Sequence, residues 1–82
     1  MAVVYSFKAR SGQNIKVELV RQAEVLLLDE ENYQNRRSGR DYLAMGHHIT
    51  ESPTFMLVPR SGEWRLVIED HEQSETAASL VA

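Results

Sequence analysis

No cysteine occurs among the 82 residues, so neither a disulfide framework nor a thiolate metal site is available, and small size is not offset by covalent staples. The absence fits a reducing cytoplasm. Apolar runs such as Val25-Leu26-Leu27-Leu28 are far too short to span a bilayer, and the N-terminus lacks the charged, apolar and small-residue order of a signal peptide. A soluble, unexported, cytoplasmic protein with no membrane partner is the expectation. Positive charge is scarce as well: nine basic residues, seven of them arginine, face twelve acidic ones for a net charge of −3. That balance disfavours a general electrostatic grip on nucleic acid. Of four glycines, Gly39 and Gly46 form no phosphate-cradling loop, and without a Walker or dinucleotide fingerprint no cofactor is expected. Internal repeats and heptads are also missing.

What the chain does contain is a β pattern. Hydrophobic content of 43% and charged content of 26% are those of a folded globular protein. Residues 1–82 are expected to form one domain that buries roughly 60–65% of its unfolded surface. Val3, Tyr5 and Phe7 share one face of a first strand over Ala2 to Ala9, and Ser11-Gly12-Gln13-Asn14 supplies a turn. Ile15, Val17 and Leu19 alternate with Lys16, Glu18 and Val20 in a second, half-buried strand. The more continuously apolar Ala23 to Leu28 reads as a central strand. Asp29 to Arg40 has no apolar face and reads as a loop with one helical turn around Glu30 to Gln34. Asp41 to His48 reads as a strand in which Gly46 marks a bulge or close backbone approach. Phe55 to Ile68 reads as two strands joined by a tight turn at Pro59 and Gly62, with Trp64, Leu66 and Ile68 on one face and Arg65 on the other. The segment 70–82 is expected to be weakly ordered or to add a last edge strand. Short strands at near-regular spacing with turn chemistry between them define an all-β chain, a small antiparallel β-sandwich or partly open barrel of about six to eight short strands.

Leu28-Asp29, Asn32-Tyr33, Gly39, Tyr42, Gly46, Pro53, Val58-Pro59, Ser61-Gly62, Trp64 and Val67-Ile68 together resemble an uncharacterised bacterial family, domain of unknown function number 1883, over about residues 15 to 69. The resemblance implies a small all-β sandwich, found alone and in some relatives beside signalling domains of the Toll/interleukin-receptor type, and it brings no catalytic residues. The chain departs from the pattern at His47, where a second glycine is expected, and at Glu69-Asp70-His71, which replaces a glycine-containing turn.

Candidate chemistry is sparse. His47, His48 and His71 are the only imidazoles, and neighbours on a strand point to opposite faces, so His47 and His48 do not converge on one ion without a bulge. One histidine facing the core and one facing solvent is the simpler arrangement, and no metal is expected. The serines sit mostly in turn-forming contexts without a nucleophile elbow. Asp29-Glu30-Glu31 has no apolar surroundings to raise a carboxyl pKa and reads as a solvated loop. Arg36, Arg37 and Arg40 with Tyr33 and Tyr42 form the most suggestive constellation, because arginine forks pair with carboxylate or phosphate and both residue types are enriched at interfaces. The alternative is a charged loop whose arginines pair with Asp29, Glu30, Glu31 or Asp41. Tyr5, Phe7, Phe55 and Trp64 are expected in the core. A non-enzymatic binding or interaction module, recognising a protein or small ligand, is therefore expected. A small hydrolase using one of the histidines and a purely structural self-assembling subunit stand as alternatives. A thin core and unstapled edges add the expectation of a homodimer, drawing on Val4, Val20 and Met56 as exposed apolar residues.

Overall fold

A computed structural model describes residues 2–69 and 76–81. Seven strands and one helix follow in the order β1 (Ala2–Ala9), β2 (Asn14–Leu19), β3 (Ala23–Asp29), α1 (Glu30–Arg37), β4 (Met45–Ile49), β5 (Thr54–Leu57), β6 (Gly62–Glu69) and β7 (Thr76–Val81). Two antiparallel sheets result, one in the order β1-β6-β3-β4 and one in the order β5-β2-β7. They do not close into a barrel, so of the two architectures expected the sandwich is the one formed. Every connection except β3–α1–β4 carries the chain from one sheet to the other.

The core lies between the sheets, and the period-2 alternation of each strand decides what enters it. Ile15 and Val17 of β2, Val25 and Leu27 of β3, and Trp64, Leu66 and Ile68 of β6 are buried there. Phe7 stands directly opposite Trp64 in the β1–β6 ladder, an aromatic pair on the core face. β3 is central, as its continuous apolar run indicates, and both of its faces are covered. Leu28 and Val67 are buried without belonging to the core cluster. They lie on the outer face, on the two strands against which α1 packs.

Several expectations are corrected. The Phe55–Ile68 segment is not a hairpin, since β5 pairs with β2 while β6 pairs with β1 and β3 in the other sheet. Val58 is the crossing point: fully buried, it receives the Gly12 N–H at 2.9 Å and donates its own N–H to the Gln13 carbonyl at 2.8 Å, after which Pro59 turns the chain away. This crossing fixes the phase of β5, so Met56, expected to be exposed, is buried while Phe55, expected in the core, is 54% exposed. The third correction is α1, which runs two turns rather than one. Asp29 caps it by accepting the Asn32 N–H at 2.9 Å, Glu30 and Glu31 occupy the first turn, and Arg36 and Arg37 the last. Beyond the C-cap Ser38, Gly39 takes φ +76°, Arg40 N–H bonds the Asn35 carbonyl at 2.9 Å and Gly39 N–H the Arg36 carbonyl at 3.3 Å. That is a Schellman stop. The expected strand from Asp41 begins only at Met45, and Asp41–Ala44 runs irregularly along the end of the sandwich. At Gly46 the close neighbour is a side chain rather than the expected backbone, for a Cβ there would lie 3.1 Å from Leu26 Cδ2.

A candidate recognition cleft at the end of the sandwich

The arginine–tyrosine constellation is partly consumed in holding α1 on its sheet. Tyr33 faces Arg65 of β6, whose guanidinium carbon lies 4.9 Å from the ring centroid, and Arg65 forms an ion pair with Glu30 at 2.8 Å. Arg36 pairs with Glu69 and has the Tyr42 hydroxyl beside it. Desolvation pulls the Arg36 guanidinium pKa down, but these two partners outweigh it and the group is held above its ordinary value. Tyr33, Arg36 and Tyr42 are thus brought to one flank of the helix, whereas Arg37 and Arg40 are exposed to solvent. The carboxylates that neutralise Arg36 and Arg65 are Glu69 and Glu30, and Asp29 is taken by Arg60 from the β5–β6 connection.

Asp29 is far from the solvated loop carboxylate expected of it. Its carboxylate accepts the backbone and side-chain amides of Asn32, at 2.9 and 2.8 Å, and meets the Arg60 guanidinium. Burial alone pushes this carboxyl up, but the Asn32 bonds and Arg60 outweigh that effect and hold it below the usual carboxylate value. Asn32 continues the chain of contacts, since its side-chain oxygen receives the Leu43 N–H at 2.8 Å. The helix cap, the Asp41–Ala44 segment and the β5–β6 connection are therefore tied together at one end of the sandwich.

Between them lies an open cleft of about 210 Å³. Leu27, Met45 and Trp64 line its buried side, Leu43 and Pro59 its mouth, and Asp29, Asn32 and Arg60 supply the polar groups. Trp64 is 4% exposed and donates its indole N–H to the Arg60 carbonyl at 2.9 Å, while the Arg60 side chain lies over the ring at 5.2 Å. Leu43, by contrast, is 80% exposed at the rim of an apolar depression. An apolar floor with a few convergent polar groups is what takes up a small apolar group and orients it. Sequence reasoning passed over Leu43, Met45, Asn32 and Arg60. The one signal available was the short apolar run Tyr42-Leu43-Ala44-Met45 that follows the polar stretch 29–41.

His47 and His48 are both exposed, which corrects the expectation that one would face the core. β4 is an edge strand whose outer positions are open, and His48 Nδ1 meets Glu24 Oε1 of the neighbouring β3 at 2.7 Å. His71 lies outside the described residues, as does the rest of 70–75. Among the described residues no three histidine, aspartate or glutamate side chains gather as a metal site would require, and no helix is long and apolar enough to cross a membrane. Several serines do serve turns: Ser61 Oγ receives the Ser11 N–H at 3.0 Å, and Ser52 Oγ the Leu19 N–H at 3.0 Å.

Fold and site together define an antiparallel β-sandwich of four and three strands, with one capped helix on an outer face and an open apolar cleft at the helix N-terminal end. The chain belongs to the family described as Domain of unknown function (DUF1883), which it matches over residues 3–82. No curated protein and no solved structure matches it.

Proposed function

We propose that this protein is a non-enzymatic recognition module that takes a small apolar group, an aliphatic or aromatic side chain of a partner protein or a ligand of that size, into the cleft between α1 and the β5–β6 connection. The observation that carries the proposal is the exposed Leu43 at the mouth of a depression floored by Leu27, Met45 and Trp64. A large apolar side chain held in water by its backbone bond to Asn32 is stabilised when a partner covers it. The volume of about 210 Å³ suits one side chain rather than a drug-sized molecule, whose pockets run from about 300 Å³ upward. Arg37, Arg40 and the exposed edge of Tyr42 lie on the stretch of chain leading into this mouth and suit an acidic flank of the same partner. The lack of cysteine suits work in a reducing compartment.

Trp64 is the only tryptophan, so its fluorescence comes from one site, the wall that the cleft shares with the core. Titration with a panel of short peptides carrying one leucine, phenylalanine or tryptophan between acidic residues should shift the emission saturably for at least one member. Leu43→Asp should abolish that response with the unfolding midpoint unchanged. Equal binding by the Leu43→Asp protein, or no saturable response from the panel, would overturn the assignment.

A further inference from the structure

The two sides of the sandwich are not alike. At one side β4 and β5 form the sheet edges, with five and four residues, and the core residues they contribute, Ile49 and Met56, are buried. At the other side the edges are β1, eight residues long, and β7, six. There the inward-facing Val3, Tyr5 and Phe7 of β1 and Ala78 and Leu80 of β7 pack against the core yet remain half-buried. Tyr5 and Thr76 join their hydroxyls across this gap. Among the described residues this leaves a seam of core side chains open along β1, the longest edge strand.

Edge strands in isolated sandwiches are usually blunted by proline, a bulge, inward charge or brevity. β1 has none of these. Its ladder with β6 is continuous from Ala2↔Glu69 to Ala9↔Gly62, it contains no proline, and Lys8 is its only charge. We infer that a second copy of this chain covers the seam, β1 pairing with β1 of its partner about a two-fold axis so that the two four-stranded sheets continue as one.

A two-fold antiparallel pairing keeps the faces of the sheets aligned, so core-facing residues must oppose core-facing residues. The register centred on Tyr5 satisfies this. Val3 then faces Phe7 and Tyr5 faces Tyr5 on the core side, while Val4 faces Ser6 on the outer side. The two Lys8 side chains stand at opposite ends of the new ladder, so no like charges meet. A foreign peptide would supply the hydrogen bonds equally well, but the self-complementary apolar series Val3, Tyr5, Phe7 is already present on the chain itself. The molecule measures 32 × 29 × 16 Å along its principal axes, so one side offers roughly 500 Å², and two such sides reach about the 1,000 Å² at which a specific interface becomes stable.

Sedimentation equilibrium of the full chain across a hundredfold concentration range tests the association, with Val4→Lys/Ser6→Lys as the disrupting variant. Val4 and Ser6 are exposed, so the variant should keep its far-ultraviolet spectrum. Twice the chain mass for the native sequence and the single mass for the variant are expected. A single mass for the native protein throughout, or a dimeric variant, would overturn the inference. A mixture of Val4→Cys and Ser6→Cys chains, without other cysteines, reads the register: mild oxidation should give the mixed disulfide ahead of either homodimer, because only residues 4 and 6 come within bridging distance. Homodimers forming as fast as the mixed species would reject the register and with it the proposed seam.

Discussion

Replacing Trp64 by alanine removes the largest side chain of the core and the wall of the cleft at once. The indole is 4% exposed, stands opposite Phe7 in the ladder, donates to the Arg60 carbonyl and carries the Arg60 guanidinium on its face. Truncation at a buried aromatic site costs about 3–5 kcal/mol. The lost hydrogen bond adds little, because the exposed Arg60 carbonyl turns to water, and the cation–π contact at an exposed arginine adds about 0.5–1 kcal/mol. A loss of about 4 kcal/mol compares with a total of roughly 4–12 kcal/mol for a domain of this length. At a urea dependence of about 1 kcal/mol per molar, the midpoint should fall by about 4 M, or the variant should be unfolded without denaturant. Circular dichroism follows the transition independently of the lost fluorophore. Trp64→Phe, which keeps a ring in the core but not the donor, should lose only about 1–2 kcal/mol. A midpoint within about 1 M of the native one for Trp64→Ala would refute the placement of the indole and with it the floor of the cleft.

Asp29→Ala should cost about 1 kcal/mol through loss of the helix cap, and Asp29→Asn distinctly less, since asparagine caps as well. Because the folded-state pKa of Asp29 is lowered, its stabilisation is complete above the unfolded value near 4 and disappears as pH falls through the lower folded value. Melting temperatures between pH 2 and 7 should show this step in the native protein and a smaller one in Asp29→Asn. Gly39→Ala meets no neighbouring atom but must adopt φ +76°, so a cost of about 1–2 kcal/mol in chemical denaturation is expected from backbone strain alone. Phe55→Ser, at a position 54% exposed, should stay within about 0.5 kcal/mol of the native stability in the same assay.

Strand identity in β1, β2, β3 and β6 is legible in the sequence, and with it the core faces of β1, β2 and β6, because a half-buried strand writes its burial as alternation, and Trp64, Leu66 and Ile68 do so plainly. The partition of strands between two sheets is not. A Pro-Gly turn between apolar runs reads the same for a hairpin as for a crossing, and what separates β5 from β6 is the tertiary pairing of Val58 with Gly12 and Gln13. That pairing also sets which of Phe55 and Met56 faces inward. Helix α1 escaped for a different reason: it has no buried residue and no apolar stripe, and it is held by Tyr33 on Arg65, Glu30 on Arg65 and Arg36 on Glu69. Its caps, Asp29 with Asn32 and Ser38 before Gly39, were readable. The arginine cluster was visible as composition, but the carboxylates that engage it come from other parts of the chain. The cleft is assembled from three segments separated in sequence, and no local pattern announces it.

The measurement that bears most directly on a recognition role is an amide-resolved NMR titration of the isotopically labelled chain with the peptide that gives the strongest fluorescence response. Shifts concentrated at Leu27, Asp29, Asn32, Leu43 and Met45, with the Trp64 indole resonance moving in step, are the predicted result. Saturable shifts confined to the opposite end of the sandwich, or to the outer faces of the sheets with the Trp64 indole unmoved, would contradict it.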